Sequence, residues 1–239
     1  MPATERARKS TTGPKPKTRR ALSSALLVVG LLLVIDAACS VLWQEPVSAL
    51  YALVQQSQLN GALEQSSSSA LPVVQRRAAA KLDDDRPLAF FARALDARAE
   101  PGAPVGRLEI PAAEISTVVV NGTGTRALRR GPGHYPDTPL PGGDGTVAIA
   151  GHRTTYGAPF RNLDKLDPGD SIEVRMPYGT FFYEVERTRI VAPTALWVTG
   201  RKSYDRLVLT ACHPLYSAAQ RIVVFARQVR QVERPNSNT

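Results

Sequence analysis

The chain has 239 residues, of which 43% are hydrophobic and 21% charged, and it carries a formal net charge of +9. That composition suits a buried core, in one ordinary domain with extra segments or in two small ones. The charge does not describe a nucleic-acid-binding domain. Arg6, Arg8, Lys9, Lys15, Lys17, Arg19 and Arg20 against Glu5 give residues 1–20 a net +6 and leave +3 for the rest.

After this basic tail (1–20) comes "LSSALLVVGLLLVIDAACSVLW", Leu22 to Trp43. As a helix it spans about 33 Å, enough for a bilayer core. Arg19 and Arg20 precede it and few basic residues follow before Arg76. The positive-inside rule predicts a cytoplasmic N-terminus, an anchor over 21–43 with Trp43 at the outer interface, and export of the remainder. Asp36 is the costly position in such a span. Two rival readings use the same region: a signal peptide cleaved near "DAA", and a lipoprotein signal ending at Cys39. The second wants an aliphatic residue where Asp36 stands. All three export the C-terminal part.

Residues 44–101 read as stalk and linker helices. Leu50, Leu53, Val54 and Leu59 recur at helical spacing, and Ser66 to Ser69 mark a flexible break. The run "LDDDRP" (82–87) reads as solvated. "RPLAFFARALDARA" (86–99) predicts an amphipathic helix that starts at Pro87 and packs through Phe90, Phe91, Ala94 and Leu95. Pro101, Gly102 and Pro104 read as a hinge.

The main domain, 102–231, changes to β patterning before a polar tail at 232–239. Strands are expected at 106–111, 116–121, 146–151, 171–176, 180–191, 206–212 and 221–229. Helical turns are expected at 126–131 and 160–166. Nineteen prolines and seventeen glycines supply the turns between them. Seven or eight short strands describe an all-β domain, a closed barrel or a sandwich.

There are two cysteines, Cys39 and Cys212. Exported cysteines tend to pair, but one lies in the span and the other far into the folded domain. The expectation is a lone thiol at Cys212, either a nucleophile or a small packed side chain. Cys212 closes one predicted strand, His152 closes another, and Arg221 opens the last. A thiol attacks as thiolate, an imidazole can take its proton, and a guanidinium is a fixed fork of donors for a developing oxyanion. Together they form a set for acyl transfer. His213 adjoins Cys212, but neighbours on an extended chain face opposite ways, so it is not the expected base. His134 lies in "GPGHYPDTPLPG", where it and Tyr135 are candidates to line a substrate site. The histidines and the domain cysteine are too scattered for zinc, so no metal or cofactor is expected.

"GPGHYPDTPLPGGDGTVAIAGHRTTYGAPFRNLDKLDPGDSIEV" and "LVLTACHPLYSAAQRIVV" resemble a sortase, nearest the class E housekeeping type, from about Gly106 to Val229. The resemblance implies a closed eight-stranded β-barrel with short helices, behind a membrane anchor and stalk. It implies a cysteine transpeptidase with Cys212 as nucleophile, His152 as general acid/base, and Arg221 positioning substrate or stabilising the oxyanion. His134, Tyr135, Tyr156 and Ala211 are the candidate substrate-binding residues. The implied partners are secreted proteins with an LPXTG- or LAXTG-like sorting signal, cleaved after Thr, and an amine of a cell-wall precursor. The family writes its cysteine motif TLxTC, whereas Val208 and Ala211 stand here at the two threonines. The segment 192–205 matches the loop that walls the signal-binding site. The rival classes are an L,D-transpeptidase, whose cysteine follows Ser and Gly, and a tethered β-barrel binding module with Cys212 buried.

Overall fold

The computed structural model describes residues 16–42, 46–68 and 87–233. Most of the basic tail, Trp43, Ser69, the acidic run 82–86 and residues 234–239 lie outside the described residues, as does the side chain of Cys39. The chain divides into two units, Met1–Trp43 and Gln44–Thr239. The first holds helix α1 (Pro16–Leu42). Over Ala21–Ala38 it is long and apolar enough to cross a membrane, and its side chains there are exposed.

In the second unit, eight strands close into a barrel. They are β1 (Pro104–Ile110), β2 (Ile115–Asn121), β3 (Gly133–His134), β4 (Thr146–Ala150), β5 (Ser171–Met176), β6 (Gly179–Val191), β7 (Arg206–His213) and β8 (Gln220–Glu233). Their order round the barrel is β1-β2-β3-β4-β7-β8-β6-β5. The pairs β2/β3 and β4/β7 are parallel, and the other strand pairs are antiparallel. The sandwich alternative is thereby excluded.

Strand alternation makes two cores. Leu207, Leu209 and Ala211 of β7 point into the main interior with Ile149, Ile222 and Val224. Val208 points the other way, into an outer cluster with Ala148, Val198, Val223 and Phe225. Strands buried on both faces carry unbroken apolar runs, as "RLVLTAC" and "RIVVFA" do. Strand β3 escaped the sequence reading because two residues display no period. Gly133 lies so close to the Gly122 carbonyl that a Cβ would collide with it. This approach lets β3 bridge β2 and β4.

Helix α3 (Pro87–Asp96) packs on the main core through Leu88, Phe91, Ala92 and Leu95. Of the expected set, Phe91 and Leu95 are buried and Phe90 packs against the core while partly exposed; Ala94 is partly buried, and Leu88 and Ala92 join the buried face. Each large side chain so buried is worth roughly 1.5–3 kcal/mol.

Helix α2 (Pro46–Ser68) lies against β1 and β2. The helix continues through Ser66–Ser68, where a break was expected. Its buried face is also not the expected stripe, since Leu50, Leu53 and Val54 are exposed. The face turned inward is Ala52, Gln56, Leu59 and Leu63. The Gln56 side chain accepts from the Val118 N–H at 2.7 Å and donates to the Arg130 carbonyl at 3.0 Å. An apolarity pattern passes over a small Ala and a Gln that satisfies backbone groups.

Candidate active site

Two of the three predicted chemical residues, Cys212 and Arg221, lie on the paired strands β7 and β8, and His152 follows β4, which pairs with β7. In the parallel β4/β7 ladder, Ala150 is level with Thr210. The Gly151 N–H extends the ladder by donating to the Thr210 carbonyl at 3.0 Å. Two residues further on each strand stand His152 and Cys212. Across the antiparallel β7/β8 ladder, Cys212 is directly opposite Arg221. Adjacent strands lie about 4.8 Å apart.

Cys212 and Arg221 share one face by alternation. Val208 and Val223 point outward, so Thr210, Cys212 and Arg221 do as well. Cys212 is a free thiol, partly exposed. Arg221 donates from Nη1 to the carbonyls of Ala218 and Gln220, both at 2.9 Å, which ties its guanidinium to the turn before β8.

His152 lies just past the end of β4, with its own carbonyl accepting from the Phe160 N–H at 3.0 Å. Burial pushes its imidazole below the ordinary value of 6.5, and the Arg129 guanidinium pushes it further. The ring is therefore neutral at neutral pH and able to accept a proton.

The remaining candidates separate. Tyr135 packs beside the outer cluster, and its hydroxyl is 3.0 Å from Thr210 Oγ1, two residues before Cys212 on the same face. Trp197, in the 192–205 segment, stacks on Phe225 with ring centroids 6.1 Å apart. Buried Arg206 anchors this segment by donating to the Val198 and Gly200 carbonyls, both at 2.9 Å. His134 is buried, its Nε2 within 3.1 Å of the Pro139 carbonyl and 3.2 Å of Thr138 Oγ1, and burial lowers its pKa. It holds the 134–139 turn and offers no exposed surface. Ala211 points into the main core, away from Cys212. A threonine there would also face inward, so both of these positions are corrected from substrate contacts to structural ones. Tyr156 lies against His152, with ring centroids 5.1 Å apart.

Arg153 was not foreseen. It is buried, pairs with Asp164 at 2.8 Å, and donates from Nη1 to His213 Nδ1 at 3.0 Å. It joins the loop after His152 to the residue after Cys212. The only sequence signal was an Arg directly after the strand-end His. Among the described residues, no cluster of three His, Cys, Asp or Glu side chains is placed to hold a metal.

Comparison with known proteins agrees with this geometry. Residues 108–229 match the sortase domain family model, about half of the chain. Sortase D of Bacillus subtilis (strain 168) is 33% identical over 135 residues, covering 54% of this chain. The match spans 66% of that relative's length, just under two thirds. A Clostridium perfringens sortase D5 transpeptidase structure superposes with a TM-score of 0.54 at 25% identity, covering 59% of this chain and 88% of that one. Sortase E1 of Streptomyces coelicolor, crystallised with a tripeptide in its active site, gives 0.52 at 26% identity, with 59% and 99% covered. The chain belongs to the sortase family.

Proposed function

We propose that the protein is a membrane-anchored cysteine transpeptidase that cleaves a sorting signal at the C-terminus of secreted proteins. The observation that supports this reading is the strand register, which sets Cys212 opposite Arg221 and ends the β4/β7 pairing two residues before His152 and Cys212. Neutral His152 takes the Cys212 proton, and the thiolate attacks the carbonyl carbon of the signal's Thr. Arg221 donates to the resulting oxyanion or to the adjoining peptide. Collapse breaks the Thr–Gly bond, and His152 returns its proton to the departing amine. A thioester remains on Cys212. An amine of a cell-wall precursor then attacks it, gives its proton to His152, and releases Cys212.

Tyr135 and the 192–205 segment are the proposed walls for the signal. The tripeptide in the Streptomyces coelicolor relative supports peptide binding in this fold. The class E assignment, with its preference for LAXTG over LPXTG, rests on the sequence motifs. The apolar helix fits a single-pass anchor, and Arg19 and Arg20 favour a cytoplasmic N-terminus with the barrel outside.

The test is mass spectrometry of the full-length protein with LAXTG and LPXTG peptides. The expected product is a thioester on Cys212, lost in Cys212→Ala together with all cleavage. Cleavage that survives Cys212→Ala refutes the proposal.

A further inference from the structure

We propose that Tyr156 is a positioning residue for His152, and that helix α2 holds it in place, so that the helix following the apolar segment is part of the catalytic unit. The inference rests on the function proposed above and extends it to residues outside the Cys/His/Arg set.

His152 has little to orient its ring. It stands beyond the last β4 pairing, and its own carbonyl is tied to Phe160. The side chain must take its direction from neighbours. Tyr156 supplies one wall, its ring tilted 41° to the imidazole at a centroid distance of 5.1 Å.

Tyr156 is in turn confined. Its φ is +50°, a left-handed backbone that is unfavourable for a bulky residue and persists only where the surroundings impose it. Helix α2 supplies those surroundings. Ser48 Oγ accepts from the Tyr156 N–H at 3.3 Å. Tyr51 meets the Tyr156 ring edge-on at 6.2 Å. Gly157, at φ +75°, leaves no room for a side chain, because a Cβ there would lie 2.8 Å from the Ala52 Cβ. The Arg129 guanidinium lies 5.6 Å from the Tyr156 ring centroid.

These contacts are not replaceable by general packing. A cavity of about 540 Å³ adjoins, lined by Tyr156, Ala52, Leu53, Gln56 and Arg161 among others. Without α2's grip, the Tyr156 ring has space to swing away from His152. Tyr51, Arg129 and His152 surround the ring, which places it to orient the imidazole.

The groups placed against His152 are Arg129 after the turn Thr125–Leu128 and Tyr156 on its own loop; Cys212 stands two residues beyond the last β4/β7 pairing with Arg221 opposite it, and Tyr51 of α2 acts through Tyr156. Tyr156 shields the imidazole from water, and Arg129 disfavours its charged form. Removing the ring therefore moves the acidic limb of the pH profile upward, toward the ordinary histidine range.

The experiment uses full-length protein in detergent, with Tyr156→Ala, Tyr156→Phe and Tyr51→Ala. One arm follows Cys212 alkylation by iodoacetamide against pH, which needs no sorting peptide. The other measures kcat and KM on a cleaved peptide. Tyr156→Ala is expected to lower kcat about tenfold or more with KM nearly unchanged, and to shift the pH dependence of alkylation. Tyr156→Phe retains the ring and stays within about threefold of wild type, while Tyr51→Ala moves both readouts the same way by about threefold. Tyr51 is partly exposed, so its variant carries the test if Tyr156→Ala fails to fold. A raised KM at constant kcat, or an unmoved alkylation profile in both variants, overturns the proposal. Absence of peptide cleavage by the wild type would refute the transpeptidase reading alone, because alkylation still reports the Tyr156–His152 coupling.

Discussion

Gly151→Ala tests the placement of His152 most directly. A Cβ on Gly151 would lie 2.5, 2.7 and 2.9 Å from three ring carbons of Phe160. Carbon atoms pack at about 3.5–4.0 Å, so the ring must retreat by roughly 1 Å. It has nowhere easy to go, because Phe160 is fully buried in the main core. Overpacking of this kind costs about 1–3 kcal/mol. For a domain of this size, about 2 kcal/mol lowers Tm by roughly 4–8 °C. The same ring belongs to the residue whose N–H binds the His152 carbonyl, so the shift reaches the imidazole. A misplacement of about 1 Å can cost on the order of a hundredfold in rate. Thermal melts by circular dichroism and kcat/KM on a sorting peptide measure both effects. Gly124→Ala is the control, because a Cβ there meets nothing within 4 Å and should change stability by less than about 0.5 kcal/mol. Phe160→Leu in the Gly151→Ala background should recover part of the loss, as expected for residues in contact. A Gly151→Ala variant with wild-type Tm and wild-type rate would refute the reasoning.

Two further outcomes follow from the same loops. Arg153→Met removes the bonds to Asp164 and His213 and should cost about 1–3 kcal/mol in a urea melt, with reduced peptide cleavage; Arg153→Lys should not restore either, since one ammonium cannot replace a planar fork. His134 and His152 both titrate below 6.5 in the folded chain because burial disfavours their charged forms. The unfolded chain thus takes up protons first as pH falls. Their contribution to stability is complete above about pH 6.5 and declines below it. Urea melts from pH 7.5 to 5 should show this slope, and His134→Gln should flatten it; an unchanged slope would contradict the assignment.

Much of the barrel was legible in the chain. Strands β1, β2 and β4 to β8 are runs of branched and aromatic residues between Gly and Pro turns, and their inward and outward sides follow from alternation alone. The proposed chemical set drew notice because each member sits at or just past a strand end within a recognisable motif. What escaped were features without a period. Strand β3 is two residues long, and Gln56 on α2 faces inward to satisfy backbone groups, which no hydrophobic stripe announces. His134 and Ala211 looked like site residues because they adjoin conspicuous motifs, yet alternation and burial turn them inward.

By itself, then, the sequence determined the apolar span and the β character of the domain, and it singled out Cys212, His152 and Arg221 as candidates, because these depend on local composition, period and motif. Only the tertiary structure decided that β4 runs parallel beside β7, which sets Ala150 level with Thr210, a residue sixty positions away. It alone placed Arg153 between the two loops and Tyr51 of α2 against Tyr156. Such long-range pairings are set by closure of the whole barrel and by which surfaces remain to be covered, and no window of neighbouring residues contains that information.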